Sequence, residues 1–454
     1  MDVKRLYDAF LASKGVTTDS RTVGEGEMFF ALKGENFDGN EYASAALEKG
    51  ASCAVVTEGS AAAALADPRI IAVPDTLDAL QALARHHREN TLVDGRRITV
   101  IGLTGTNGKT TTKELVTRVL SVKYNVTATV GNLNNDIGVP LSILKIGPQT
   151  QLAVIEMGAS HPDDIGKLVK VSEPDYGLIT NVGKAHLLGF GSYEGVKKAK
   201  GMLYDYVSEH GGSIFLNADD QVLCEMAAAR KGFNVIEYGI NLWDAMVLPS
   251  DAEHPYVRMA IPESVGGSAE VSDDETLLAL ETHLSGAYNA NNAAAAIAVG
   301  LHFGISLQDA LDAIAGYVPV NNRSQLEKTE TNVLIKDAYN ANPTSMAAAL
   351  DNLCSVIADR KVALLGDMRE LGAESVSEHV QVLRQVLSMG LELVCLVGDE
   401  FRKAVEAEGA EDKVRCFASS EELSSWLEVN PVRNSTVLVK GSRGIRMETV
   451  IPRL

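Results

Sequence analysis

Short apolar runs of strand length recur along the chain, and stretches with helical spacing separate them. GEMFFALKG (26–34) and IIAVPD (70–75) come first, followed by ITVIGL (98–103), QLAVIEM (151–157), YGLITNV (176–182) and GSIFLN (212–217). A further set, NVLIKDAY (332–339), KVALLGD (361–367), LELVCLVGD (391–399) and STVLVKGS (435–442), closes the series. Between them, Val3, Leu6, Tyr7, Phe10 and Leu11 fall on one helical face, and LDALQALARHHREN (77–90) and YNANNAAAAIAVGLHFG (288–304) also read as helices. Buried strands alternating with helix-length stretches predict parallel sheets joined by helical crossovers. Residues 232–283 differ: DAMVL, YVRMAI and ETLLALET, set apart by Pro, Gly and acidic turns, predict an antiparallel annex. The expected fold class is therefore α/β in three domains. These are a small α/β amino-terminal domain (1–76), a central doubly wound parallel sheet carrying the annex (77–316), and a Rossmann-like α/β carboxy-terminal domain (317–454).

Composition narrows the function. The 454 residues are long enough for several cores, and a formal charge of −19 repels polyanions, which argues against nucleic acid as the main partner. Five scattered cysteines without a CxxC pair read as buried, reduced thiols of a cytoplasmic protein. The charged start excludes a signal peptide, and no apolar run reaches the length of a membrane span.

The strongest chemical signal is ITVIGLTGTNGKTTTKEL (98–115), in which a strand runs into Gly105, Thr106, Asn107, Gly108, Lys109, Thr110 and Thr111, with a helix expected from about Thr111. Glycines let backbone N–H groups approach phosphate oxygens, and a helix start favours anions. Lys109 supplies charge at the β- and γ-phosphates, and the Thr110 hydroxyl is a ligand for Mg²⁺. Leu103 stands where the longer phosphate-loop pattern has glycine, so the match is to the GxxGKT core. Glu156 closes a buried strand, the position where α/β sites gather, and suits Mg²⁺ as a second oxygen ligand.

Reading outward, GNLNNDIGVP (131–140), EMGASHPDDI (156–165), TNVGKAHLLGFGS (180–192), KAKGMLYD (198–205), GAYNANNA (286–293), DAYNANPTSM (337–346), LLGDMRELG (364–372) and KGSRGIRME (440–448) occur in an order that closely resembles the Mur ligases of peptidoglycan synthesis. The resemblance spans all three segments. It implies an ATP-dependent, amide-forming ligase that acts as a monomer. The carboxylate of UDP-N-acetylmuramoyl-tripeptide takes the γ-phosphoryl group, and the amine of D-alanyl-D-alanine then displaces phosphate from the acyl phosphate. Its nearest competitors are another acid–amino-acid ligase of the same superfamily (the third-residue-adding enzyme or a folylpolyglutamate synthetase) and, from another class, a P-loop ATPase switch. The chain lacks the DNPR segment of the third-residue branch and the NKxD guanine-reading motif. Folate ligases start almost directly at the phosphate loop, which here follows about a hundred residues of chain.

Residue by residue, the resemblance makes Lys109, Glu156, His186 and Lys200 catalytic, with Thr110, Glu156, His186 and Lys200 around two Mg²⁺ ions. Lys200 would carry a CO₂-derived carbamate. Read without the family, it is one charge among Lys197, Lys198 and Lys200 on a solvated helix face, and His186 is a structural or solvated histidine. Asn289, Arg323, Asp337 and Asn340 would join the loop in holding ATP. Asp19, Ser20 and Arg21 would meet the uridine diphosphate end, Asn134 and Asn135 the muramoyl peptide, and Tyr339 and Asn342 the incoming amine. As local chemistry alone, these are turn and cap formers. Relatives carry His where this chain has Asn40 and Tyr288. Arg443 or Arg446 is offered to a carboxylate of the dipeptide.

Overall fold

The computed structural model describes all residues except 1, 35, 66, 94, 251–253, 268–275 and 320–324. Four sheets of three or more strands follow one another along the chain. The first is parallel, with strands Val16–Thr17, Met28–Phe30, Cys53–Thr57 and Ile70–Val73 in sequence order. The second has six strands in the spatial order Asn234–Tyr238, Ser213–Asn217, Tyr176–Ile179, Thr99–Thr104, Leu152–Glu156 and Val126–Ala128, all parallel. A small antiparallel sheet, Met246–Leu248, Arg258–Pro262 and Leu277–Glu281, matches the expected annex. Asn234–Tyr238, inside the segment assigned to that annex, instead extends the parallel sheet. The last sheet is parallel through Asn332–Asp337, Ser435–Lys440, Lys361–Gly366, Leu393–Val397 and Arg415–Phe417, with Gln325–Lys328 antiparallel at one edge.

Purely parallel strands need cover on both faces, which explains why their sequences are continuous apolar runs rather than alternating ones. On one face of the second sheet, the helix Thr76–Asn90 and the apolar side of the first sheet share a core with Val100, Ile155 and Leu203. On the other face, the helices Lys109–Leu120 and Asn289–His302 share a core with Leu103, Val154 and Phe215. The alanine run 293–296 serves this second core. Small side chains let the two helices approach so closely that a Cβ on Gly300 would lie 2.4 Å from Val119. That close approach brings the polar start of the Asn289–His302 helix against the phosphate loop.

The amino-terminal helix, Val3–Leu11, buries Leu6 but leaves Leu11 exposed. The expectation that all five cysteines are buried is corrected: all are free thiols, Cys53 and Cys395 are buried and Cys224 is partly so, whereas Cys354 and Cys416 are exposed. Cys354 lies in the helix Pro343–Ser355 and Cys416 in the edge strand Arg415–Phe417, positions at which solvent reaches the side chain. No helix among the described residues is long and apolar enough to cross a membrane.

Candidate active site

Sequence order reverses about Thr99–Thr104: the next strand lies two places away on one side, and Tyr176–Ile179 flanks it on the other. Open α/β sheets bind ligands at the carboxyl ends of the strands beside such a point. Here those ends carry the loop 105–108, Glu156 and the segment Thr180–Gly183. Together with residues of the last sheet they line a cleft of about 620 Å³.

The loop is held by its neighbours. Asn107 N–H donates to Asn181 Oδ1 at 3.0 Å, and Asn181 Nδ2 and Thr180 Oγ1 donate back to the Asn107 carbonyl at 3.0 and 2.6 Å. Two glycines are required. Gly105 has φ +150°, and a Cβ there would sit 1.9 Å from Thr180 Oγ1. Gly108 has φ +78°, and its Cβ would meet Asn292 Oδ1 at 2.5 Å. Left-handed Gly108 starts the helix at Lys109, two residues earlier than the sequence suggested. Its carbonyl already accepts from Thr112 N–H at 2.8 Å, so the first turn is closed by then. Lys109 Nζ folds back onto the carbonyls of Gly105 and Thr106 at 2.9 and 3.0 Å.

Thr110 and Glu156, separated by 46 positions in sequence, touch: the Thr110 hydroxyl donates to Glu156 Oε1 at 3.2 Å, and Asn134 Nδ2 donates to the same oxygen at 2.7 Å. Glu156 is 1% exposed, and its Oε2 is buried without a hydrogen-bond partner. A buried carboxylate oxygen lacking a donor is costly unless a cation or water completes it, so a hydroxyl and an open carboxylate oxygen side by side suit a hard divalent ion. Among the described residues no group of three or more His, Cys, Asp and Glu is arranged to hold a metal.

Lys200 overturns its solvated-face reading. It is 3% exposed, on the side of the helix Tyr193–Glu209 that also buries Val196, Leu203, Tyr204 and Val207, and its Nζ donates to the Gly105 carbonyl at 2.8 Å. Burial, reinforced by the neighbouring Lys109 charge, drives its ammonium well below the ordinary lysine range. His186 lines the cleft and pairs through Nδ1 with the Glu370 carboxylate. Burial lowers its basicity, with Glu370 opposing that shift and Lys109 adding to it.

Other expected residues divide into two groups. Asp337, Tyr339, Asn340 and Asn342 all reach the cleft from the last sheet. Asn342 caps the helix Pro343–Ser355 and donates through Nδ2 to Asn107 Oδ1 at 2.8 Å, linking the last sheet to the phosphate loop. Asn289 is buried at the start of its helix and accepts from Asn292 Nδ2 at 2.7 Å. Tyr288 and Asn135 line the cleft, and Asn135 Oδ1 also accepts from Gly138 N–H at 2.9 Å. Asp19, Ser20 and Arg21 are not brought there. Arg21, its side chain 86% exposed, forks onto Asp19 and lowers that carboxyl to about 2. Asn40 is buried in contacts with Asp38 and Thr57. Arg443 lies over the Tyr339 ring, Arg446 pairs with Glu421 on the surface, and Arg323 lies outside the described residues.

Sequence reasoning passed over three residues. Asn292, one helical turn beyond Asn289, braces Gly108 and accepts from Thr112 Oγ1 at 3.0 Å. Lys113, also buried, donates to the Thr129 carbonyl at 2.6 Å, and Thr129 Oγ1 in turn accepts from Glu156 N–H at 3.0 Å. Lys440, opposite Asp337 in register, is buried, salt-bridges that carboxylate and lines the cleft. The available signals were helical spacing for Asn292 and a cation at the end of an apolar strand for Lys440.

A phosphate loop under a cleft that the last sheet completes defines a nucleotide-dependent transferase or ligase built from three successive units. Matches to family models agree along most of the chain: the Mur ligase family catalytic domain over residues 13–88, the Mur ligase middle domain over 103–300 and the Mur ligase glutamate ligase domain over 322–443. The chain belongs to the Mur ligase family. It is 34% identical to the UDP-N-acetylmuramoyl-tripeptide–D-alanyl-D-alanine ligase of Bacillus subtilis, over 97% of this chain and 93% of that protein. Among solved structures it resembles MurF from Acinetobacter baumannii (TM-score 0.83, 28% identity, 99% and 97% of the two chains). It also resembles the Thermotoga maritima MurF ligase in complex with ADP (TM-score 0.81, 27% identity, 98% and 97%).

Proposed function

We propose that this chain joins D-alanyl-D-alanine to UDP-N-acetylmuramoyl-tripeptide at the expense of ATP, releasing ADP and phosphate. One observation carries the mechanism: Lys109 and Glu156, the latter hydrogen-bonded by Thr110, share a single cleft with Asp337 and Tyr339 of the last sheet, so a phosphate and an incoming amine can meet there. Two anions, the tripeptide carboxylate and the γ-phosphoryl group, must first approach each other. Lys109, released from its own loop carbonyls, turns onto the transferring phosphoryl oxygens and strengthens its hold as charge builds there.

Thr110 and Glu156 would hold Mg²⁺, which when bound spreads the charge of the phosphates. Burial and the Lys109 charge favour the neutral form of Lys200, whose nitrogen lone pair can bond to the carbon of CO₂. Loss of one N–H proton to solvent leaves a carboxylate-like carbamate beside the loop. His186 faces the same cleft. Asn289 and Tyr288 stand where adenine would lie, Asp337 and Asn340 bring the last sheet to the nucleotide, and Tyr339 and Asn342 lie on the approach of the amine. Asn134 and Asn135 face the muramoyl peptide, and Asp19, Ser20 and Arg21 receive the uridine diphosphate end. The cleft closes when the last sheet docks, and the exclusion of water protects the acyl phosphate from hydrolysis.

The acyl-phosphate route makes a direct prediction. With ¹⁸O in the terminal carboxylate of the tripeptide, one labelled oxygen should appear in the released phosphate for each amide formed, as read by mass spectrometry. A P-loop ATPase that merely hydrolyses nucleotide would release phosphate free of that label.

A further inference from the structure

The segment Asp367–Gly372, within the LLGDMRELG motif, has no part in the chemistry above, yet it reaches across to the loop after Tyr176–Ile179. Glu370 makes two contacts there: its carboxylate takes His186 Nδ1, and its carbonyl accepts from Leu188 N–H at 3.1 Å. Both partners have left-handed backbones, φ +51° at His186 and +65° at Glu370, which non-glycine residues seldom adopt unless their surroundings impose it. The surroundings are specific. Lys184 Nζ pairs with buried Glu378 at 2.6 Å, Lys184 N–H donates to Thr344 Oγ1 at 3.2 Å, and Leu187 and Phe190 share an apolar cluster with Met368 and Leu371.

An exposed carboxylate–histidine pair alone is worth little. Here the carboxylate is anchored at its own backbone, and the ring it meets lines the nucleotide cleft. An ionised carboxylate only accepts, so the ring nitrogen facing it carries the hydrogen, and in the neutral ring that burial favours the other nitrogen keeps its lone pair. We infer that Glu370 is a positioning residue that fixes His186 as the Nδ1–H tautomer with Nε2 free to accept, and does so only while the last sheet is docked on the central one. Completion of the site and domain closure are then one event. The inference rests on the reading that His186 acts at the nucleotide site.

The test uses the full chain labelled with ¹⁵N-histidine at one fixed pH, with the His186 ring signals identified by their loss in His186→Gln. The wild-type ring should be Nδ1–H. Glu370→Gln, whose amide oxygen accepts the same hydrogen, should keep that tautomer and most of kcat. Glu370→Ala and the shorter Glu370→Asp should lose the tautomer and lower kcat about 10- to 100-fold, with KM for D-alanyl-D-alanine unchanged. A wild-type ring in the other tautomer, or a tautomer that is the same in all three variants, overturns the assignment. The ring signals need no substrate, so they decide this point whether or not the ligase reading holds.

Discussion

Lys109→Met should lower amide formation by about 10²- to 10³-fold, the usual cost of removing a preorganised group that meets developing charge. Methionine keeps the length and apolar stem of lysine but brings no charge. The hydrogen bonds from Lys109 to the Gly105 and Thr106 carbonyls are lost, yet the loop remains held by Asn181 and Thr180, so folding should be little affected. The interaction grows as the γ-phosphoryl group leaves ADP, so kcat should fall far more than KM for ATP rises. Steady-state kinetics with varied ATP, checked against the thermal unfolding midpoint, separates these effects. A variant that loses only ATP affinity would mean that Lys109 binds nucleotide without assisting transfer.

Lys200→Ala should cost about a hundredfold or more, because it removes the side chain that the carbamate would occupy beside the phosphate loop. The geometry explains why this lysine, rather than Lys197 or Lys198, is suited to react with CO₂. Lys197 pairs with Glu225 in a partly exposed bridge, whereas Lys200 is buried against Gly105 with the Lys109 charge nearby and no acid among the described residues to hold it protonated. A carboxylate is what the alanine variant lacks, so formate or acetate should restore part of its activity, whereas methylamine should not. Two results would sink the carbamate: full activity in Lys200→Ala, or a crippled variant that no short carboxylate rescues.

The contrast between Lys109 and Lys200 shows what the sequence makes legible. The phosphate loop is local: strand, glycines, lysine and helix are contiguous, so spacing alone exposes its chemistry. The sheets are legible for a similar reason, since parallel strands covered on both faces leave continuous apolar runs. Without the resemblance, Lys200 reads as one charge on a solvated face, because lysines also stand at 197 and 198. The buried pattern Val196, Lys200, Leu203, Tyr204 and Val207 follows helical spacing and would have placed it inside. The pairing of Thr110 with Glu156 was expected from strand ends. By contrast, Asn107 with Asn342 and His186 with Glu370 join residues far apart in sequence and depend on how the last sheet docks, which no periodicity encodes. Arg21 was legible as an Asp–Arg pair, and the structure places that pair on the surface, away from the cleft.

Phosphate release tests the central claim most directly. The full chain is given ATP, Mg²⁺ and UDP-N-acetylmuramoyl-tripeptide, with D-alanyl-D-alanine, single amino acids or no acceptor, while the mass of the nucleotide-linked product is followed. Sustained phosphate release that requires both the muramoyl tripeptide and the dipeptide, with a product heavier by one dialanyl unit, is the predicted result. Turnover indifferent to the muramoyl peptide, or a single amino acid used in preference to D-alanyl-D-alanine, would contradict it.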